Sequence, residues 1–74
     1  SESDIAVLFI EQKVNRVKVS WRAQPGLDVS HIAMQFGGGG HKAAAGADIE
    51  GTLEEVKEKV LSATETYLKS VYPA

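Results

Sequence analysis

The sequence contains no cysteine and only two histidines, His31 and His41. The first absence excludes disulfides and suits a reducing, cytoplasmic setting. The second leaves a metal cluster little imidazole to draw on, and Asp4, Asp28 and Asp48 are scattered without a histidine at ligand spacing. No stretch approaches the ~20 apolar residues of a membrane span, and no secretory leader is visible. Nor is there a surplus of positive charge. The formal net charge is −2, whereas nucleic-acid-binding modules are usually basic. At 74 residues the chain has room for one small domain, expected over residues 4–72, with residues 1–3 as linker. Such a domain buries only roughly 60% of its unfolded surface. With disulfides and metals set aside, the expected extra support is a partner surface, either a sister domain or a second copy in a homodimer.

The charge that is present is unevenly placed. Asp48, Glu50, Glu54, Glu55 and Glu58 fall in the last third, while Lys13, Arg16, Lys18, Arg22 and Lys42 fall in the first two thirds. A locally positive patch fits this distribution, as does a solvated surface of mixed sign.

Asp4–Ile10 is a continuous apolar run, which predicts a central strand. Gln12–Asn15 reads as a turn. Arg16–Arg22 then alternates, with Val17, Val19 and Trp21 on one side and Arg16, Lys18, Ser20 and Arg22 on the other, the period of a half-exposed strand. The two runs form an antiparallel hairpin. After a break at Gln24–Leu27, Asp28 is placed to cap a short helix whose apolar face is Val29, Ile32, Ala33 and Phe36, and Gly37 stops it. Gly37–Gly40 reads as a loop, and Ala43–Ile49 as a short, closely packed strand. Thr52 and Glu55 form a capping box ahead of a long helix with the stripe Leu53, Val56, Val60, Ala63, Thr64, Tyr67, Leu68 and Val71. The order strand–strand–helix–strand–helix predicts an α/β (α+β) fold, a small mixed sheet of three to four strands covered by two helices. If the Arg16–Arg22 and Ala43–Ile49 strands are parallel, their crossover is right-handed.

The chemistry is concentrated in Phe36–Gly46, FGGGGHKAAAG. Glycines allow close backbone approach, and successive amides can converge on one anion. His41 adds a donor and Lys42 a full charge. A Walker loop is rejected, because His41 precedes Lys42 and Ala43 stands where a hydroxyl would hold magnesium. A dinucleotide fingerprint is rejected too, because a helix rather than a strand precedes Gly38, Gly40 and Ala43. An anion cradle and a flexible linker both remain open, with the apolar flanks weighing against the linker. Arg22, with Ser20 two residues before it on the same face, is the second candidate, its planar fork matching phosphate oxygens. Trp21 points the other way and reads as core; His31 reads as a surface residue, and Met34 as a gap filler. No spacing suggests a serine–histidine pair for hydrolysis.

The runs Val17–Arg22, Leu27–Ala33 and Phe36–Gly46 together resemble the DHH-associated C-terminal domain of the DHH phosphoesterases, in the nano-RNase and phosphoadenosine-phosphate phosphatase branch. The resemblance extends from about Asp4 to Tyr67. It implies a division of labour in which an N-terminal domain holds two manganese ions and hydrolyses the substrate, while the C-terminal domain binds the substrate's phosphates. The Asp-His-His signature is absent from this sequence, so the resemblance implies no cofactor and no catalytic residue here, with manganese in the missing domain. Carried over by residue, Gly38, Gly39, Gly40 and His41 match the substrate loop and Arg22 the phosphate-binding arginine, with Ser20 and Lys42 as weaker transfers; Gly37 opens the Gly37–Lys42 loop expected to grip phosphate. Ala23 stands where relatives often have serine, which removes one supporting hydroxyl. The expected ligand is a short single-stranded RNA or a 3′,5′-bisphosphate nucleotide, bound by a domain that is not catalytic alone. A docking or dimerisation module, or the corresponding domain of a cyclic-dinucleotide phosphodiesterase, is the alternative.

Overall fold

The structure is a computed structural model describing residues 4–73, so the linker expected at residues 1–3 lies outside the described residues. Its elements are β1 (Ile5–Lys13), β2 (Arg16–Ala23), α1 (Ser30–Met34), β3 (Gly39–His41), β4 (Ala44–Glu50) and α2 (Leu53–Val71). The four strands form one sheet in the order β1-β2-β4-β3, and the fold is α+β as expected.

Alternation along β2 sets the layering. Val17, Val19 and Trp21 are fully buried, and they pair across the sheet with Ile49, Ala47 and Ala45 of β4. Both helices pack on this inner face. Val29, Ile32 and Ala33 come from around α1, and Val56 and Val60 from α2. Trp21 anchors the core. Its ring stacks on Phe36 with centroids 6.2 Å apart, and its indole N–H donates to Thr64 Oγ1 at 3.0 Å. Thr64 Oγ1 in turn donates to the Val60 carbonyl at 2.7 Å, so a polar pair inside the core is satisfied at both ends.

Four expectations change. First, β1 is an edge strand rather than a central one. Its apolar run does serve two faces, but only one is covered. Ile5, Val7 and Phe9 pack on the core, whereas Ala6, Leu8 and Ile10 face outward and are exposed. Second, all three pairings are antiparallel, so the parallel contact between β2 and the Ala43–Ile49 strand does not form. The crossover through α1 delivers the chain to β3, which runs parallel to β2. β4 then folds back between them, and the condition for a right-handed parallel crossover onto that strand is not met. Third, the glycine segment is not all loop, because Gly39–His41 forms the second edge strand. Fourth, Met34 fills no gap and is 66% exposed.

The helix boundaries follow sequence chemistry closely. Thr52 accepts from Glu55 N–H at 3.1 Å and Glu55 Oε1 from Thr52 N–H at 3.0 Å, the reciprocal box expected at the start of α2. At the start of α1 the flanking residue Val29 cannot cap with its side chain. Asp28, one position earlier, accepts from Ser30 N–H at 3.1 Å instead. Beyond α1, Gly37 takes φ +81°; its N–H donates to the Met34 carbonyl at 3.2 Å and that of Gly38 to the Ala33 carbonyl at 2.9 Å. This paired pattern is a glycine-dependent helix stop.

Candidate functional site

Cross-strand register assigns each polar residue to a face. Arg22 of β2 lies opposite Ala44 of β4, which lies opposite His41 of β3. Ser20, Gly46 and Gly39 form the next row of the same outer face. With strands spaced about 4.8 Å apart, Arg22 and His41 stand roughly 10 Å apart across a central strand. In these two rows Ala44 and Gly46 supply that strand's outward positions, so the surface sinks there. The result is a shallow depression of about 250 Å³ lined by Ser20, Arg22, Gly39, Gly40, Ala44, Ala45 and Gly46.

The face is also selectively charged. Arg16 lies opposite Glu50 and Lys18 opposite Asp48, so two of its cations have an acid in register. Arg22 lies between Ala6 and Ala44 and has none. Its guanidinium has no cross-strand acid to compete with an incoming anion, and its fork suits paired oxygens.

The glycines of the motif have separable roles. A Cβ on Gly38 would stand 2.1 Å from the Gly46 carbonyl oxygen and 2.6 Å from Ala47 Cβ. A Cβ on Gly40 would stand 2.6 Å from both the Ala44 carbonyl oxygen and Ala45 Cα, at φ +144°. Those two are glycine because β3 must lie tight against β4, and Gly37 because it stops α1. Gly39 differs. It has no left-handed φ, and a Cβ there would meet nothing within 4 Å. Folding does not demand a glycine at this position, and the missing side chain leaves the backbone there open to approach.

Sequence reasoning proposed Ser20, Arg22, Gly37, Gly38, Gly39, Gly40, His41 and Lys42 as one group. The structure brings Ser20, Arg22, Gly39 and Gly40 into the depression and puts His41 on the same face at its rim. Gly37 and Gly38 lie outside it, at the helix stop. Lys42 occupies the tight turn between β3 and β4, where its carbonyl accepts from Val29 N–H at 2.9 Å. It lines a different depression, of about 390 Å³, shared with Gln24–Asp28 and Ala43. There Asp28 supplies a negative charge beside it. The Ser30 hydroxyl donating to Asp28 holds that carboxyl below the usual carboxylate range, against the opposing effect of burial, so it stays ionised. A negative charge makes that depression a poorer anion site than the outer face. Ala44, Ala45 and Gly46 were missed as lining residues. Their signal was present in the run of small residues, but it was read as packing alone.

A further depression of about 290 Å³ lies between the helices, lined by His31, Gln35, Ala63, Thr66, Tyr67 and Ser70. His31 is exposed there, 6.0 Å from the Tyr67 ring between centroids, and the Tyr67 hydroxyl accepts from Asp28 N–H at 2.7 Å. Among the described residues no three of His, Asp and Glu come together as metal ligands. Among them, too, no helix is long and apolar enough to cross a membrane.

Comparison with known proteins bears on this geometry. A family model described as the DHHA1 domain matches residues 1–70. The chain is 40% identical over 63 residues to a Thermus thermophilus protein named bifunctional oligoribonuclease and PAP phosphatase NrnA, a match covering 84% of this chain and 19% of that protein. A Mycoplasma genitalium protein of the same name is 44% identical over 45 residues, covering 61% of this chain and 14% of the relative. The chain therefore matches a fifth or less of the length of these curated relatives.

Proposed function

The chain belongs to the DHHA1 domain family, and from that premise we propose that its outer sheet face binds the phosphates of a short single-stranded RNA or a 3′,5′-bisphosphate nucleotide. In this reading Arg22 grips one phosphate through paired N–H donors, and the Ser20 hydroxyl donates to the same group. Gly39 admits the ligand to the backbone of β3, which among the described residues is an edge strand with one side not taken up by another strand. His41 adds a donor from the far rim. Hydrolysis is assigned to a separate DHH catalytic domain, and with it manganese, whose chemistry would be to activate water and neutralise the phosphate. This chain's own residues hold and orient. The names of the relatives, oligoribonuclease and PAP phosphatase, support that ligand class.

The observation that carries the proposal is Arg22, set beside a glycine-floored depression and facing alanines, whereas Arg16 and Lys18 of the same strand face acids on β4. The test is an isotope-resolved NMR titration with adenosine 3′,5′-bisphosphate. Amide shifts should concentrate at Ser20, Arg22, Gly39, His41 and Gly46. Arg22→Ala should weaken binding roughly tenfold or more, the scale of one charge-assisted contact. Few phosphates are engaged, so the salt dependence should be shallow, with a logarithmic slope of about −0.7 per phosphate. Shifts confined to the Lys42–Asp28 depression, or an Arg22→Ala protein that binds unchanged, would refute it.

A further inference from the structure

One strand of the outer face has no part in phosphate binding. On β1, Ala6 lies directly opposite Arg22, Leu8 opposite Ser20 and Ile10 opposite Lys18. Leu8 is 59% exposed and Ile10 46%. Nothing in the fold requires them to be apolar, because both helices pack on the other face and only Ile5, Val7 and Phe9 of β1 reach the core.

We propose that Ala6, Leu8 and Ile10 form a platform for the nucleobase of the ligand whose phosphate is held at Arg22. The inference rests on the phosphate reading above. Its basis is placement. β1 is one strand spacing, about 4.8 Å, from β2, so the aliphatic strip begins within a ribose's reach of Ser20 and Arg22. The strip is also continuous with the depression, row by row. Its chemistry then defines specificity. Aliphatic side chains cover the flat face of any base and exclude water from it, but they offer no donor or acceptor to its edge. The platform therefore accepts purines and pyrimidines alike.

A protein partner suits this strip less well. Three side chains fall far short of the roughly 800 Å² that each partner contributes to a standard interface. They are also bordered by Arg22 and Lys18. An apolar protein surface would strip water from those cations without compensation, whereas a nucleotide brings its own negative charge to them.

The test compares 5′-AMP with ribose 5-phosphate, which differ by the base, in calorimetric titrations of the 74-residue chain. The unaltered protein should bind 5′-AMP about three- to tenfold more tightly, as expected for covering part of an exposed leucine and isoleucine. Leu8→Ser with Ile10→Ser should abolish that preference while ribose 5-phosphate affinity holds. Both positions are exposed, and circular dichroism would verify that the variant folds. 5′-CMP and 5′-UMP should behave as 5′-AMP does. If ribose 5-phosphate binds and 5′-AMP binds no more tightly, the platform is wrong and the phosphate site stands. If neither binds, both readings fall together. If the double variant dissolves a dimer seen in sedimentation and leaves the 5′-AMP preference intact, the strip joins two copies and the platform is overturned.

Discussion

Replacing three consecutive motif glycines with alanine, one at a time, should give unlike outcomes. At Gly38 the new methyl must enter space held by the Gly46 carbonyl oxygen and Ala47 Cβ, at 2.1 and 2.6 Å. Neither belongs to a flexible side chain, so β3 must lift from β4. Overpacking of this kind costs about 1–3 kcal/mol, and for a domain of this size each kcal/mol lowers Tm by roughly 4–8 °C. At Gly40 the clash is similar, at 2.6 Å from two backbone atoms, and φ of +144° adds strain. At Gly39 nothing lies within 4 Å and φ is not left-handed. Alanine there should leave stability unchanged or raise it by about 0.4–1 kcal/mol, by restricting the unfolded chain. Binding should respond in its own way. The Gly39→Ala methyl projects into the depression and should weaken adenosine 3′,5′-bisphosphate by roughly tenfold, the scale of one lost charge-assisted bond. Melting curves with titration of each variant decide the matter. The reasoning is refuted if Gly39→Ala melts as low as Gly38→Ala, or if it melts normally and binds as well as the unaltered chain.

Two further outcomes follow from the core and the helix cap. Thr64→Val keeps the side chain's shape but leaves the Trp21 indole N–H buried without its acceptor, so urea denaturation should show a loss of about 1–3 kcal/mol, while Thr64→Ser should lose less; the reverse order would mean that methyl packing outweighs the hydrogen bond. The Glu55 carboxyl is held below its usual range by accepting from the Thr52 backbone and bonding with its side chain. Because its folded pKa is depressed, the stability it adds is present above the unfolded value and lost as pH falls through the folded one. Glu55→Gln should flatten that acid limb in melts recorded from neutral pH downward, and an unchanged profile would show that the cap is not linked to the titration.

What the sequence made legible was whatever rests on local chemistry. The alternation of Arg16–Arg22 separated Trp21 from Arg22 correctly, because a strand's period is fixed by its backbone. The capping box at Thr52 and Glu55 and the stop at Gly37 were readable for the same reason. What was not readable depended on partners distant along the chain. The apolar run of β1 suggested burial on both faces, but whether a helix covers Leu8 and Ile10 is decided by where α1 and α2 settle. Gly39–His41 became a strand only because β4 turned back beside it, and that turn also placed β4 between β2 and β3. The candidate site shows the same division. Arg22 and the glycine motif were each visible, but the gap between them, and the assignment of Lys42 to a different depression, came from register.

The placement of Trp21 has a practical consequence for anyone working with this molecule. It is the only tryptophan in the chain, and it sits between Ser20 and Arg22 with its ring on the opposite side of the strand. Its emission is thus a native optical probe for the packed interior. Unfolding should expose the indole to water and shift its spectrum, whereas a ligand arriving from the far side of the sheet should leave it nearly silent. Stability can therefore be followed with ligand present or absent, without attaching a dye.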